Sequence, residues 1–184
     1  MKQLEEKLEI AWGVDALDVK EKRFLKEYGL VGAGLEKARK SAVTLFGLNA
    51  ARREKTFPAN YEWFTTDGGI LLDREEYQML KKISALSHEK FIFILEDLPG
   101  NSPGLSFRFP NTASWRDLQS GERERVSFEV FERPIRNYFV FGDSLDWGKY
   151  VGSDLLEPTD TFGFAPSLRQ EFLKLRTLLE LGSA

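Results

Sequence analysis

Beyond residue 90 the apolar residues stop recurring at helical spacing. They fall instead into short runs separated by turn formers, and this limits the chain to folds that contain an antiparallel sheet. Phe91 to Leu95 is an apolar run that stops at the turn cluster Pro99-Gly100-Asn101-Ser102-Pro103-Gly104. Leu105 to Phe109 is a second run, closed by Pro110. Arg125 to Arg133 alternates apolar Val126, Phe128 and Val130 with polar residues, as a half-buried strand does. Tyr138 to Phe141, Trp147 to Val151 and Thr161 to Phe164 complete the set. Successive strands with short links pair antiparallel, because parallel neighbours need a crossover of a dozen or more residues.

Helical spacing governs the rest. Leu4, Leu8 and Trp12 recur every fourth residue. Asp15 to Tyr28 and Leu35 to Leu48 are two further helical stretches, with Gly29 placed to stop the first of them. Asp73 followed by Glu76 is a capping-box pattern, and it opens a helix running to Leu86 with Tyr77, Leu80 and Ile83 on one face. Pro166 suits a first helical turn, after which Leu168, Phe172, Leu175 and Leu179 form one stripe. Residues 57 to 72 fit two states. Tyr61, Trp63, Phe64, Thr65 and Thr66 favour strand, whereas the Tyr61–Phe64 spacing and Gly68-Gly69 suit a short helix. The expected architecture is an α+β domain: a mostly antiparallel sheet packed by helices over residues 57–184, preceded by a helical N-terminal segment, residues 1–56.

Charge and composition narrow the function. The first 56 residues carry 12 bases and 9 acids, leaving 26 − 12 = 14 bases and 29 − 9 = 20 acids for the remainder. A region of net charge −6 repels phosphate backbones, so direct nucleic-acid binding is not expected. No apolar run approaches the roughly 20 residues of a membrane span. The charged start and the absence of cysteine suit a cytoplasmic protein. A single histidine, His88, leaves no His-rich zinc site and one imidazole for acid–base work.

Between residues 137 and 165 lie five acids (Asp143, Asp146, Asp154, Glu157, Asp160), one base (Lys149) and seven aromatic residues. Carboxylates beside rings suit docking to a basic partner, the rings giving contact area and the charges steering. Asp143, Asp146, Trp147, Tyr150, Asp154 and Glu157 are the expected contacts. The same carboxylates do not read as a cation site. Counted from Asp143, the third and fifth positions of a calcium loop fall on Leu145 and Trp147. Neither a metal nor an organic cofactor is expected. Gly32-Ala33-Gly34 follows a helix and lacks the third glycine of a dinucleotide fingerprint. Glu96-Asp97 reads as a charged strand end rather than an acid–base pair.

Gly142-Asp143-Ser144-Leu145 after an apolar strand resembles the first block of GDSL-type esterases, whose serine is the nucleophile. That family places its histidine well over a hundred residues after the serine. Here 184 − 144 = 40 residues follow Ser144, and none is histidine. A serine without a positioned base is not activated. A GDSL-like or carboxylate-dependent hydrolase therefore remains an alternative to binding, as does a structural or assembly role for the helical start.

Phe57-Pro58-Ala59-Asn60-Tyr61-Glu62-Trp63-Phe64, then Asp67-Gly68-Gly69, then Leu71-Leu72-Asp73-Arg74-Glu75-Glu76 follow one another in this chain. Phe141-Gly142, Trp147-Gly148-Lys149-Tyr150 and Ser167-Leu-Arg-Gln-Glu-Phe172-Leu173 come later. In order and type these blocks resemble the SUKH superfamily, across roughly residues 57–181. The glycine pair comes slightly early, and Asp67 stands where that family has asparagine. The resemblance implies a small α+β immunity protein that neutralises a toxin domain, and a helix rather than a strand at Tyr61–Phe64.

Overall fold

The computed structural model describes residues 16–47, 57–67, 72–97, 106–118, 137–152 and 159–182, with residues 2, 3, 5, 6 and 9. In chain order the elements are α1 (Val19–Tyr28), α2 (Gly32–Phe46), β1 (Glu62–Asp67), α3 (Arg74–Leu86), β2 (Phe91–Glu96), β3 (Ser106–Pro110), α4 (Trp115–Leu118), β4 (Tyr138–Gly142), β5 (Trp147–Gly152), β6 (Thr159–Phe164) and α5 (Arg169–Gly182). The six strands form one sheet, ordered β1-β6-β5-β4-β2-β3, with every neighbouring pair antiparallel. The α+β class expected from the change of period is the class observed. The expected strand at Arg125–Arg133, the contacts Asp154 and Glu157, and most of the first helix lie outside the described residues.

Alternation along the strands gives the sheet two different apolar faces. Phe64, Ile92, Ile94, Phe107, Phe109, Val140, Trp147, Val151 and Phe162 point to one face and are buried there beneath α1, α3 and α5. Leu95, Phe139 and Phe141 point to the other and meet α2 through Leu35, Ala38, Ala42, Leu45 and Phe46. Sandwiching a sheet between helices satisfies both faces at once. The two helices of the described N-terminal segment therefore belong to opposite faces of the same sheet. Phe24 of α1 lies 5.7 Å from the Phe107 ring, and Phe46 of α2 lies 4.7 Å from that of Phe139.

The local signals explain the element ends. Asp73 accepts the Glu76 N–H at 2.7 Å and caps α3. Glu76 does not return a bond to the cap, because its side chain turns into the core. Gly47 ends α2 with φ 55°, a left-handed conformation that glycine adopts without a Cβ clash. Tyr61 to Phe64 enters β1, as propensity suggests, and does not form the helix that the family resemblance implies. Pro166 opens a single 3₁₀ turn that leads directly into α5. In α5, Phe172 stacks on Phe164 with ring centroids 4.5 Å apart.

Candidate binding face

Two buried carboxylates fix α3 on β5, and they decide which residues of the acidic segment reach the surface. At the start of α3, Glu76 meets Lys149 of β5 at 2.8 Å, and Lys149 also meets Asp160 of β6 at 2.8 Å. All three are buried, Lys149 fully so. Its ammonium lies 5.4 Å from the centre of the Phe162 ring. Burial pushes the Glu76 carboxyl up to about 8; Lys149 opposes this and Asp160 adds to it. Burial alone would lower the Lys149 ammonium, but the two carboxylates outweigh it and hold the group above its ordinary value.

Just after α3, the buried Glu89 accepts the Trp147 indole N–H at 3.0 Å and the Ser144 hydroxyl at 2.5 Å. Burial raises the Glu89 carboxyl, and these donors hold it partly down. Gly142 makes room for this carboxylate, since a Cβ there would overlap it. Ser144 Oγ also accepts the Asp146 N–H at 3.0 Å. The hydroxyl thus ties the β4–β5 turn to the α3–β2 connection. His88, which the sequence offered as the one imidazole, is exposed at φ 54°, and no described contact joins it to Ser144.

These anchors redistribute the six expected contacts. Trp147 is fully buried with its N–H spent on Glu89, so it cannot be a surface contact. Its position in β5 puts it on the face beneath α3, where a large ring fills the core. Asp143 is exposed, but its carboxylate accepts the N–H groups of Lys90 at 2.9 Å and Phe91 at 3.1 Å, which makes it a turn-builder. Asp146 and Tyr150 remain half-exposed. Lys149, the one base of the segment, contributes no charge to the surface.

The register shows what lies beside Tyr150. On the α2 side of the sheet, Thr65 pairs with Thr161 and Thr161 with Tyr150. Tyr61, Trp63, Thr65 and Asp67 lead along the same side of β1, by alternation. α2 leaves this end of the sheet open: Trp63 is 66% exposed, and Thr65 and Asp67 are exposed. Tyr61 donates its hydroxyl to Leu145 O at 2.6 Å, which brings the β4–β5 turn to the start of β1. Burial first, and then the nearby Asp146 carboxylate, raise the Tyr61 hydroxyl above its ordinary value. Tyr150 donates to Asp97 at 3.2 Å and packs on Phe139.

The result is a strip of Tyr61, Trp63, Thr65, Thr161 and Tyr150, with Asp146 at one end and Asp67 at the other. No residue that β1, β5 or β6 directs to this side is basic. Of the six expected contacts Asp146 and Tyr150 fall on this strip, and sequence reasoning did not single out Trp63. The signal for Trp63 was present: in Glu62-Trp63-Phe64-Thr65 only one of the two rings can face the core of a strand.

Among the described residues no group of three or more His, Asp and Glu side chains could hold a metal ion. No helix among them is long and apolar enough to cross a membrane. Comparison with family models, with curated proteins and with solved structures finds no match.

Proposed function

We propose that this chain is a non-catalytic protein-binding module, an inhibitor of the immunity-protein type that fills the substrate groove of a basic toxin domain. The open strip on the α2 side of β1, β6 and β5 carries this reading. It joins an exposed tryptophan and a half-exposed tyrosine, the residue types enriched at binding hot spots, to flanking carboxylates. A toxin domain that cleaves nucleic acid needs a basic groove, and an acidic aromatic face fits that groove in place of the phosphate backbone. The order of motifs resembling SUKH immunity proteins agrees with this use, although β1 replaces the helix that those proteins suggest. The bonds of Ser144 support the binding reading over the hydrolase one, since both serve the turn.

The test is capture of partners from the native host on immobilised wild type and on Asp146→Lys/Thr161→Lys. The expected result is one basic, nucleic-acid-cleaving protein, inhibited by the wild type, released by rising salt and not held by the variant. A partner held equally by both proteins, or binding indifferent to salt, would sink the electrostatic docking.

A further inference from the structure

An amine is a nucleophile once it gives up its extra proton, and Lys149 holds two carboxyl groups within reach in a buried site. Lys149 pairs with Phe162 across β5 and β6, and Asp160 lies two residues before Phe162 on the same side of the sheet. The lysine and the aspartate are thus diagonal cross-strand neighbours, a spacing that long side chains span. Lys149 Nζ meets one oxygen of Asp160, Oδ2, at 2.8 Å. Glu76 reaches the same nitrogen from the first turn of α3, with Oε1 at 2.8 Å and Oε2 at 2.9 Å. Side-chain exposure is 0% for Lys149, 3% for Glu76 and 8% for Asp160. The Phe162 ring, its centre 5.4 Å from Nζ, walls the site, and the Phe172 ring stands 6.4 Å from that of Phe162. Fully ionised, two anions and one cation leave one buried negative charge in excess. Burial therefore favours a proton on one carboxyl, and Glu76 is the carboxyl that burial pushes up to about 8.

The geometry points to an amide bond between Lys149 Nζ and Asp160 Cγ, formed within the folded chain, with Glu76 as the group that moves the protons. The step balances with no further reactant. The ammonium passes one proton to the Asp160 carboxylate, which gives a neutral amine and a neutral acid. The Nζ lone pair attacks Cγ, the C–N bond forms and the carbonyl π pair moves onto oxygen. Glu76 protonates the departing hydroxyl with one oxygen and takes the surplus Nζ proton with the other. The Cγ–O bond breaks and water leaves. An ammonium and a carboxylate have become an amide and water, and Glu76 ends as it began. Holding the two groups together replaces a bimolecular encounter. The product is uncharged, so the desolvation penalty of the buried pair disappears with the charges. Asp160 is the acyl partner because β6 fixes it in register beside the lysine, whereas both oxygens of Glu76 are engaged in proton transfer. The two carboxylates hold the ammonium above its ordinary value, so the free amine is the minor form and the reaction is slow. The amide joins β5 to β6 beneath Tyr150 and Thr161 and closes a loop of 160 − 149 = 11 residues. In a chain without cysteine it supplies the covalent brace that a disulfide supplies elsewhere. The ion pairs described above, and the stability they carry, belong to the unlinked chain. The bond does not depend on the proposed inhibitor role.

The test is the mass of the intact chain, measured after complete unfolding, on protein that has stood folded for increasing times. Most of the wild type should become lighter by the mass of one water. Trypsin should cease to cut after Lys149, and fragmentation of the resulting peptide should place the loss across Lys149 and Asp160. Lys149→Arg keeps the charge but lacks the amine, and it should retain the full mass. Glu76→Gln should also retain it, with circular dichroism checking that both variants fold. Wild type that stays at the full mass overturns the inference whether or not the variants fold. So does a loss of water that persists in Lys149→Arg, or a link mapped to another pair of residues. A link that forms as readily in folded Glu76→Gln overturns the role given to Glu76.

Discussion

Replacing Lys149 by methionine removes the one cation from a buried site with two carboxylates. In the wild type the ammonium lies 2.8 Å from Glu76 Oε1 and 2.8 Å from Asp160 Oδ2, with no exposed surface of its own. Methionine has a similar volume, so the packing against Phe162 is largely kept and the loss is electrostatic. Breaking a buried pair by removing one partner costs about 3–5 kcal/mol, because the stranded carboxylates either keep their desolvation penalty or must take up protons to shed it. For a domain of this size each kcal/mol lowers Tm by roughly 2–4 °C, so the fall should be about 6–20 °C. Urea unfolding followed by far-UV circular dichroism gives the free energy directly, with an unchanged m-value marking an intact fold. The compensated variant Glu76→Gln/Lys149→Met/Asp160→Asn separates charge from packing. It should recover at least half the loss, since no uncompensated charge is left. Lys149→Met within 1 kcal/mol of wild type, roughly the scale of a surface ion pair, would refute the buried-charge account. Failure of the compensated variant to improve on Lys149→Met would show that shape, not charge, sets the cost.

Further consequences follow from the same two anchors. The folded Glu76 carboxyl titrates above its unfolded value, so its contribution to stability is complete below about pH 4.5 and declines as pH rises through about 8. Glu76→Gln should flatten the decline of Tm across that window; an unchanged slope would place the titration elsewhere. Gly142→Ala should destabilise by at least about 1–3 kcal/mol, because the new methyl displaces the Glu89 carboxylate from the Trp147 and Ser144 donors. Its unfolding midpoint in urea measures this, and a wild-type midpoint would mean that the α3–β2 connection yields freely. Glu89→Leu strands the buried Trp147 N–H and should cost about 1–3 kcal/mol, with a shifted tryptophan emission maximum as the spectroscopic sign.

The sheet and its helices were legible because their signals are local. Alternation, turn clusters and the Asp73 cap fixed β2, β3, β4, β5, β6 and α3 to within a residue or two. The stretch at 57–72 was ambiguous because Tyr61 and Phe64 satisfy both periods. Pairing with β6 decides it, and pairing is not a local property. The candidate face was half legible. Asp146 and Tyr150 could be found because acid and ring density is visible in the chain. Trp147 misled because nothing local says which face of its strand is covered. Lys149 misled in the same way: it was counted as a surface charge, yet it is buried together with Asp160, one base and one acid of the segment removed from the surface at once. The partners that bury these two residues, Glu76 and Glu89, lie 73 and 58 residues away.

The strand order also sets a schedule for synthesis. Among the described residues β1 pairs only with β6, the last of the six strands, and 164 − 67 = 97 residues separate the end of one from the end of the other. At about 5–20 residues per second, β1 waits about 5–20 s on the ribosome for its mate. Throughout that wait both sides of the strand are open, with Trp63 and Phe64 uncovered. The β2–β3 hairpin closes early and can template β4 and β5 in turn. β1 is therefore the part of the nascent chain most exposed to capture by chaperones or by other nascent copies, and the last to join the sheet.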